Sequence, residues 1–296
     1  MTPATIAIIG TGDMGSAVGA ALARSGFRVV TDSSGRSPLS RKLAAEAGFE
    51  DLGSLEALVG EADLLLSILP PARALTFADR VAGVLEATRA KLVFADCNAI
   101  APATAAAIAG LFAPLATPFA DAGIVGPAPR RGSAAPTRFY VAGEARAVLL
   151  ELEAPELEFI DMGEAVGRAS ALKMCYAAMN KGFDALLTAV LMAAEQLGIR
   201  DELMAEFRTS QAAHAERMVT RIPYLAATSE RFTGEMREIA ATFAAAGVSP
   251  DFHRGAEWVY ATLAQTPLAA ESRADLPARR SLDEAIAAFT APLKQR

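Results

Sequence analysis

The chain has 296 residues, of which 52% are hydrophobic and 21% charged, and this ordinary globular usage excludes a mainly disordered protein. A formal net charge of -6 argues against nucleic-acid binding, which needs a basic face. No stretch predicts a signal peptide or a membrane span, and two cysteines are too few for a disulfide framework. We therefore expect a cytoplasmic protein whose partner is a small-molecule substrate, with neither nucleic acid nor membrane, and the length predicts two domains.

The first half of the chain alternates short apolar runs with alanine-rich segments of helical length, which predicts a doubly wound α/β sheet. The predicted strands are Thr5–Ile9, Arg28–Asp32, Asp63–Leu69, Lys91–Asp96, Leu115–Phe119, Arg138–Ala142 and Leu157–Ile160. The predicted helices between them are Asp13–Ser25, Ser40–Gly48, Arg73–Thr88 and Ala101–Leu111. Beyond Gly163 the strand signals stop, so we expect an α/β domain over 1–162 and an all-α domain over 163–296.

A glycine-rich turn joins the first predicted strand to the first predicted helix. Gly10 allows a tight turn, Gly12 lets the backbone approach a pyrophosphate, and Gly15 permits close packing of helix on strand. Asp13 and Met14 lie between the last two glycines, where the helix N-terminus favours an anion. In this strand, turn and helix context the motif indicates a Rossmann-type dinucleotide site, and a nicotinamide cofactor is favoured over FAD.

The end of the second predicted strand distinguishes NADP(H) from NAD(H). Asp32 can bind a ribose 2′-hydroxyl, which would select NAD(H). Ser33, Ser34 and Arg36 follow it, and their hydroxyls and guanidinium suit a 2′-phosphate. We favour NADP(H) and keep NAD(H) as the alternative, in which Arg36 is simply solvated.

Two further segments carry candidate polar groups. Asn98 follows the predicted strand Lys91–Asp96, where its amide either contacts the cofactor or caps the next helix. Lys173 lies on a mostly apolar helix, in one stripe with Asn180 and beside Tyr176. Desolvation lowers the pKa of a lysine from about 10.4 toward neutrality, where it can act as general acid or base. Alternatively, this lysine reaches solvent or pairs with a carboxylate.

Taken together, these motifs resemble the β-hydroxyacid dehydrogenase family, which includes 3-hydroxyisobutyrate and 6-phosphogluconate dehydrogenases. The resemblance covers most of the chain. The residues of segments 96–100 and 173–176 are similar to the branch called phosphogluconate dehydrogenase-like. It rests on the turn Gly10–Gly15, the strand end Leu69-Pro70-Pro71, the turn Asp96–Pro102, the loop Asp121–Gly126 and Lys173.

The resemblance implies a role for each matching segment. Lys173 would be the catalytic acid and base, Leu69 and Pro70 would contact the cofactor, and two subunits would pair through the helical C-terminal domain. Ile124, Val125 and Gly126 would bind the substrate, although Val125 replaces the family's serine. Tyr176 or Asn180 would supply the contact of a family asparagine that is Ala177 here. Asn180 also replaces the glutamate of 6-phosphogluconate dehydrogenases, so the resemblance does not extend to their oxidative decarboxylation.

The predicted activity is hydride transfer between NADP(H) and a small hydroxyacid-type alcohol, with no metal. An imine or ketone reductase on the same scaffold is one alternative. A non-catalytic protein that senses NADPH is the other.

Overall fold

The computed structural model describes residues 3–271, 276 and 279–295. It divides into two compact units, Met1–Met174 and Cys175–Arg296. The division falls inside one long helix, about three turns after the predicted boundary at Gly163, and that boundary stays a prediction. No helix in the described part of the chain is long and apolar enough to cross a membrane.

The first unit is built on one eight-stranded sheet. Its strands are β1 (Thr5–Ile9), β2 (Arg28–Thr31), β3 (Glu50–Asp51), β4 (Leu64–Ser67), β5 (Val93–Asp96), β6 (Phe119–Val125), β7 (Thr137–Ala142) and β8 (Leu157–Asp161). Their spatial order is β3-β2-β1-β4-β5-β6-β7-β8. The first six are parallel, β7 is antiparallel to β6, and β8 is parallel to β7, which confirms the doubly wound class.

Helices cover both faces of this sheet because successive strand residues point to opposite sides. They are α1 (Asp13–Arg24), α2 (Pro38–Glu46), α3 (Leu55–Glu61), α4 (Pro71–Thr88), α5 (Pro102–Phe112) and α6 (Arg146–Leu150). Ala7 and Ile9 pack into one buried cluster with residues of α3, α4 and α5. Ile6 and Ile8 pack into the other cluster, with residues of α1 and α6.

One row of paired residues marks the carboxyl edge of the central strands. Ile9 pairs with Ser67, Ser67 with Asp96, and Asp96 with Asp121. The segments that follow this row in β1, β4, β5 and β6 therefore emerge at the same edge of the sheet, where ligands bind in open α/β folds.

The predicted strand Leu115–Phe119 is wrong in its position. Leu115 ends a short 3₁₀-helix, and β6 begins only at Phe119. Pro114 and Pro118 carry no N–H for a ladder, which explains why the chain does not pair before that point. The predicted loop Asp121–Gly126 is also wrong, because its residues up to Val125 belong to β6 and are buried.

The second unit is helical throughout its described residues, which confirms the predicted all-α region. Its helices are the second part of α7 (Arg168–Leu197), α8 (Arg200–Ser210), α9 (Ala212–Arg221), α10 (Ser229–Ala245), α11 (Asp251–Leu263) and α12 (Leu282–Thr290). Within this unit, Asp184 of α7 pairs with Arg217 and Arg221 of α9. Lys181 of α7 pairs with Glu235 of α10 at 2.7 Å.

Candidate cofactor and catalytic site

The glycine-rich turn after β1 is built as the sequence predicts. Gly10 has a φ of +100°, and a Cβ there would lie 2.1 Å from the carbonyl oxygen of Ile68. A Cβ on Gly15 would lie 2.1 Å from the carbonyl oxygen of Gly10. Gly12, by contrast, is exposed and has open space beside its Cα, directly before the N-terminus of α1. This open backbone fits the pyrophosphate of a dinucleotide, with Asp13 and Met14 opening the helix behind it.

At the end of β2, the side chains are arranged around Asp32. This carboxylate is buried and accepts a hydrogen bond from the backbone N–H of Ser34 at 2.9 Å. The backbone N–H of Ser33 donates to Asp51 at 3.1 Å. Arg36 follows in the chain and is half-buried, whereas a freely solvated arginine would be exposed.

The electrostatics around Arg36 favour an anionic ligand. Burial lowers the pKa of Arg36, Asp32 acts against that shift, and Arg73 and Arg80 of α4 lower the pKa further. Arg73 and Arg80 thus add positive charge to that of Arg36, and positive charge of this kind attracts a phosphate. Arg73 and Arg80 were not predicted from the sequence, because their influence on Arg36 depends on where the fold places α4.

Asn98 joins the ends of two strands. Its side-chain oxygen accepts from the backbone N–H of Leu69 at 2.5 Å, and its amide group donates to Ser67 at 3.1 Å and to Asp96 at 2.6 Å. The residue is 2% exposed, and both of its amide hydrogens are engaged by protein oxygens. Asn98 therefore fixes the segment of Leu69 and Pro70 after β4, and its direct contact with a cofactor stays a prediction.

The carboxylate of Asp121 in β6 holds the beginning of α7. It is 1% exposed and accepts from the backbone N–H groups of Gly167 at 2.8 Å and Ser170 at 3.2 Å, and from the Ser170 hydroxyl at 2.6 Å. Burial raises the pKa of Asp121 above its ordinary value, and these hydrogen bonds offset only part of that rise. No local pattern predicts these partners, since 46 to 49 residues separate them from Asp121.

Lys173 lies on α7 directly over β6. Its amino group donates a hydrogen bond to the carbonyl oxygen of Ile124 at 2.5 Å, and the side chain is half-buried. Gly123 makes this approach possible, because a Cβ there would lie 3.0 Å from the Cβ of Lys173. The carbonyl group that Lys173 contacts lies three residues beyond Asp121, at the edge of the sheet that carries the glycine-rich turn.

The predicted substrate residues fall into two groups. Ile124 and Val125 are buried at the end of β6, and Gly126 follows them with a φ of +116°. Tyr176 and Asn180 belong to the second unit, where Tyr176 is exposed and the Asn180 amide donates to the Tyr176 carbonyl oxygen at 3.1 Å. The first group lies beside Lys173, and the role of both groups stays a prediction.

Family models match most of the chain in two parts. Residues 5–150 match the NAD-binding domain of 6-phosphogluconate dehydrogenase, and residues 194–263 match a domain of unknown function, DUF1932. The first match confirms that the unit with the glycine-rich turn is an NAD(P)-binding domain.

Solved structures share the fold over nearly the whole chain. A conserved protein of unknown function, described as structurally similar to 3-hydroxyacid dehydrogenases, is 25% identical over 88% of this chain and 96% of its own, with a TM-score of 0.62. The 3-hydroxyisobutyrate dehydrogenase of Mycobacterium tuberculosis is 22% identical over 98% of this chain and 100% of its own, with a TM-score of 0.62. An imine reductase of Myxococcus stipitatus in complex with NADP⁺ is 20% identical over 88% of this chain and 92% of its own, with a TM-score of 0.52.

Proposed function

Since residues 5–150 form an NAD(P)-binding domain of the kind found in 6-phosphogluconate dehydrogenase, we propose that the chain is an oxidoreductase of the β-hydroxyacid dehydrogenase family, and that it transfers hydride between NADP(H) and a small hydroxyacid-type alcohol. The observation that carries this proposal is the position of the Lys173 amino group at the end of β6, beside Gly123. A lysine held at the carboxyl edge of a nucleotide-binding sheet can exchange a proton with a substrate bound there.

Lys173 would act as general base in one direction and as general acid in the other. When bound, the nicotinamide ring supplies the acceptor for the hydride that leaves the alcohol carbon. The neutral amine of Lys173 takes the hydroxyl proton, so that the products are a carbonyl compound and a lysine ammonium. In the reverse direction, the ammonium of Lys173 donates its proton to the oxygen of the forming alcohol.

Residues of the first unit would hold the cofactor. Gly12 and the N-terminus of α1 would bind the pyrophosphate, while Asn98 would hold Leu69 and Pro70 against the cofactor. Ser33, Ser34 and Arg36 would bind a 2′-phosphate. The positive charge that Arg73 and Arg80 add to that of Arg36 supports NADP(H) over NAD(H). Affinities for NADPH and NADH, measured on the same preparation, test this point, and a preference for NADH would contradict it.

Ile124, Val125 and Gly126 would line the substrate side of the site. Buried aliphatic side chains at the first two positions favour a substrate with a short apolar part beside its hydroxyl group. Tyr176 and Asn180, on the turns of α7 that follow Lys173, would supply a hydroxyl and an amide to the substrate.

An exposed apolar stripe on α7 supports a homodimer formed by the helical domain. Its members recur every three or four residues, as in a helix that packs against another helix. They are Tyr176, Met179, Phe183, Leu186, Val190, Ala193 and Leu197, and four of them are exposed large side chains. The mass of the protein in solution, measured by light scattering, tests this assembly. A monomer at all concentrations would contradict the proposed homodimer.

The cytoplasmic location of the protein stays a prediction.

A panel of substrates tests the reaction itself. We expect oxidation of at least one short β-hydroxyacid or sugar acid with NADP⁺, and reduction of the matching ketone with NADPH. Imine reduction is the second candidate, because an imine reductase shares the fold. Lys173 disfavours it, since an iminium ion would lie beside a second cation. Turnover of imines alone would favour that reductase, and inactivity on the whole panel would favour the NADPH sensor.

A further inference from the structure

The first turn of α7 is held by a carboxylate from another element of the fold. The first N–H groups of a helix have no partner inside the helix, and a side chain next to the helix in sequence usually caps them. Here the backbone N–H of Gly167 and that of Ser170 both donate to the Oδ2 atom of Asp121, in β6. The Ser170 hydroxyl occupies the Oδ1 atom of the same carboxylate. Asp121 therefore fastens the helix start to the sheet.

The next inward-facing position of β6 sets the distance between strand and helix. Gly123 follows Asp121 by two residues, so both point to the same face of the sheet. A Cβ on Gly123 would lie 2.7 Å from the carbonyl oxygen of Ala169 and 3.0 Å from the Cβ of Lys173. The backbone of α7 thus rests against the strand at Ala169, about one turn before Lys173.

We propose that Asp121 is the positioning residue for Lys173, an inference that rests on the proposed function. The hydrogen bonds of its carboxylate fix the first turn of α7. The contact at Gly123 fixes the distance between α7 and β6. With the helix held in this way, Lys173 reaches the carbonyl oxygen of Ile124. A single strand, β6, supplies all three contacts.

Asp121 positions the lysine and does not itself exchange protons with a substrate. Both of its oxygens accept hydrogen bonds from the start of α7, and the group is buried. Without the carboxylate, the N–H groups of Gly167 and Ser170 lose their acceptor and the first helical turn shifts. Displacement of a reacting group by about 1 Å can cost about 100-fold in rate.

The test compares Asp121→Ala with a matched control, Asp63→Ala. Asp63 also accepts two backbone N–H groups, those of Ala4 at 2.8 Å and Thr5 at 2.9 Å, but it fastens the opposite end of the sheet. Each variant is treated with an amine-reactive reagent, and the labelling rate of Lys173 is measured by mass spectrometry with Lys181 as internal reference. We expect Asp121→Ala to raise the labelling rate of Lys173 severalfold and Asp63→Ala to leave it unchanged.

Turnover of any active panel compound gives a second readout. Asp121→Ala should lower kcat at least about tenfold with the affinity for NADP⁺ retained, and should have no further effect when Lys173 is already alanine. A residue that only stabilised the fold would show the same loss in both backgrounds. Wild-type labelling of Lys173 in folded Asp121→Ala, or equal losses in both backgrounds, would overturn the proposal.

Two milder variants decide the matter if Asp121→Ala does not fold. Asp121→Asn keeps one oxygen acceptor, and Ser170→Ala removes only the hydroxyl donor, so both should raise the labelling of Lys173 to a smaller extent. Unchanged labelling in both folded variants would overturn the proposal. Labelling needs no substrate, so it tests the position of the lysine even if Lys173→Ala keeps full turnover, a result that would overturn the proposed function alone.

Discussion

Two buried carboxylates are associated with α7, one from β6 and one on the helix itself, and the fold satisfies them with different partners. Asp121 accepts hydrogen bonds from backbone N–H groups and a hydroxyl at the start of the helix. Asp184, three turns beyond Lys173 and 0% exposed, is paired with Arg217 at 2.6 Å and with Arg221 at 2.5 Å. Neutral donors thus offset part of the cost of burying the carboxylate next to the proposed proton-transfer group, whereas two arginines pair with the carboxylate that packs the helical unit. The difference predicts that one end of α7 governs the reaction rate and the other governs stability.

The largest expected effect is that of Lys173→Ala on the reaction. Proton transfer by a positioned group contributes about 10²–10⁴-fold, so kcat should fall by that order while the fold stays intact. Lys181→Ala is the matched control on the same helix. Its amino group pairs with buried Glu235, so the control should lose stability and keep its turnover for each folded molecule. Equal turnover of the two variants would contradict the different roles assigned to Lys173 and Lys181.

Asp184→Ala should give the largest loss of stability. Its removal leaves Arg217 and Arg221 without their common partner, and breaking a buried ion pair costs about 3–5 kcal/mol. Urea denaturation followed by circular dichroism measures the free energy of unfolding. A loss below about 1 kcal/mol would show that solvent replaces this carboxylate without cost, as at a surface pair.

Gly123→Ala should affect both rate and stability, because it separates β6 from α7. The added Cβ would lie 2.7 Å from the carbonyl oxygen of Ala169, and overpacking of this kind costs about 1–3 kcal/mol. Gly83→Ala is the control, since Gly83 lies inside α4 with open space beside its Cα. Alanine there should raise the free energy of unfolding by about 0.5–1 kcal/mol. The two variants should shift the thermal midpoint in opposite directions, and a shared direction would contradict the account of Gly123.

The smallest expected effect is the pH dependence that His253 gives to the helical unit. Burial lowers the pKa of His253 from its ordinary value of 6.5, and its Nδ1 atom has no hydrogen-bond partner among the described residues. Below pH 6.5 the unfolded chain therefore binds a proton that the folded chain does not. The free energy of unfolding should fall as the pH falls below that value, by at most about 1.4 kcal/mol per pH unit. His253→Leu should remove this part of the slope, and an unchanged slope would assign it to other groups.

The sequence predicted the elements whose signals are local. The turn Gly10–Gly15 carries its glycines for reasons of nearby backbone geometry, and β1 was predicted with its observed bounds. The start of β6 was missed, because a strand rich in alanine and glycine has no apolar alternation to mark it. Lys173 is a candidate because of its unusual place on a helix, whereas the hydrogen bonds of Asp121 to the start of that helix were not predicted.

The missed features all depend on contacts between distant segments. Asp121 and Ser170 are 49 residues apart, and nothing between them predicts that one caps the helix of the other. The amide of Asn98 was rightly placed at a strand end, but its engagement by Leu69 and Ser67 requires the register of β4 and β5. Such pairings follow from the packed fold and not from the residue pattern.

The pH dependence of kcat/KM, measured in both directions on one active substrate pair, tests most directly whether Lys173 moves the proton. Oxidation needs the neutral amine, so its rate should fall as the pH is lowered; reduction needs the ammonium, so its rate should fall as the pH is raised. We expect the wild-type protein and Lys181→Ala to show both pH dependences, and Lys173→Ala to show neither. If Lys173→Ala keeps both pH dependences, another group carries the proton and the account is contradicted.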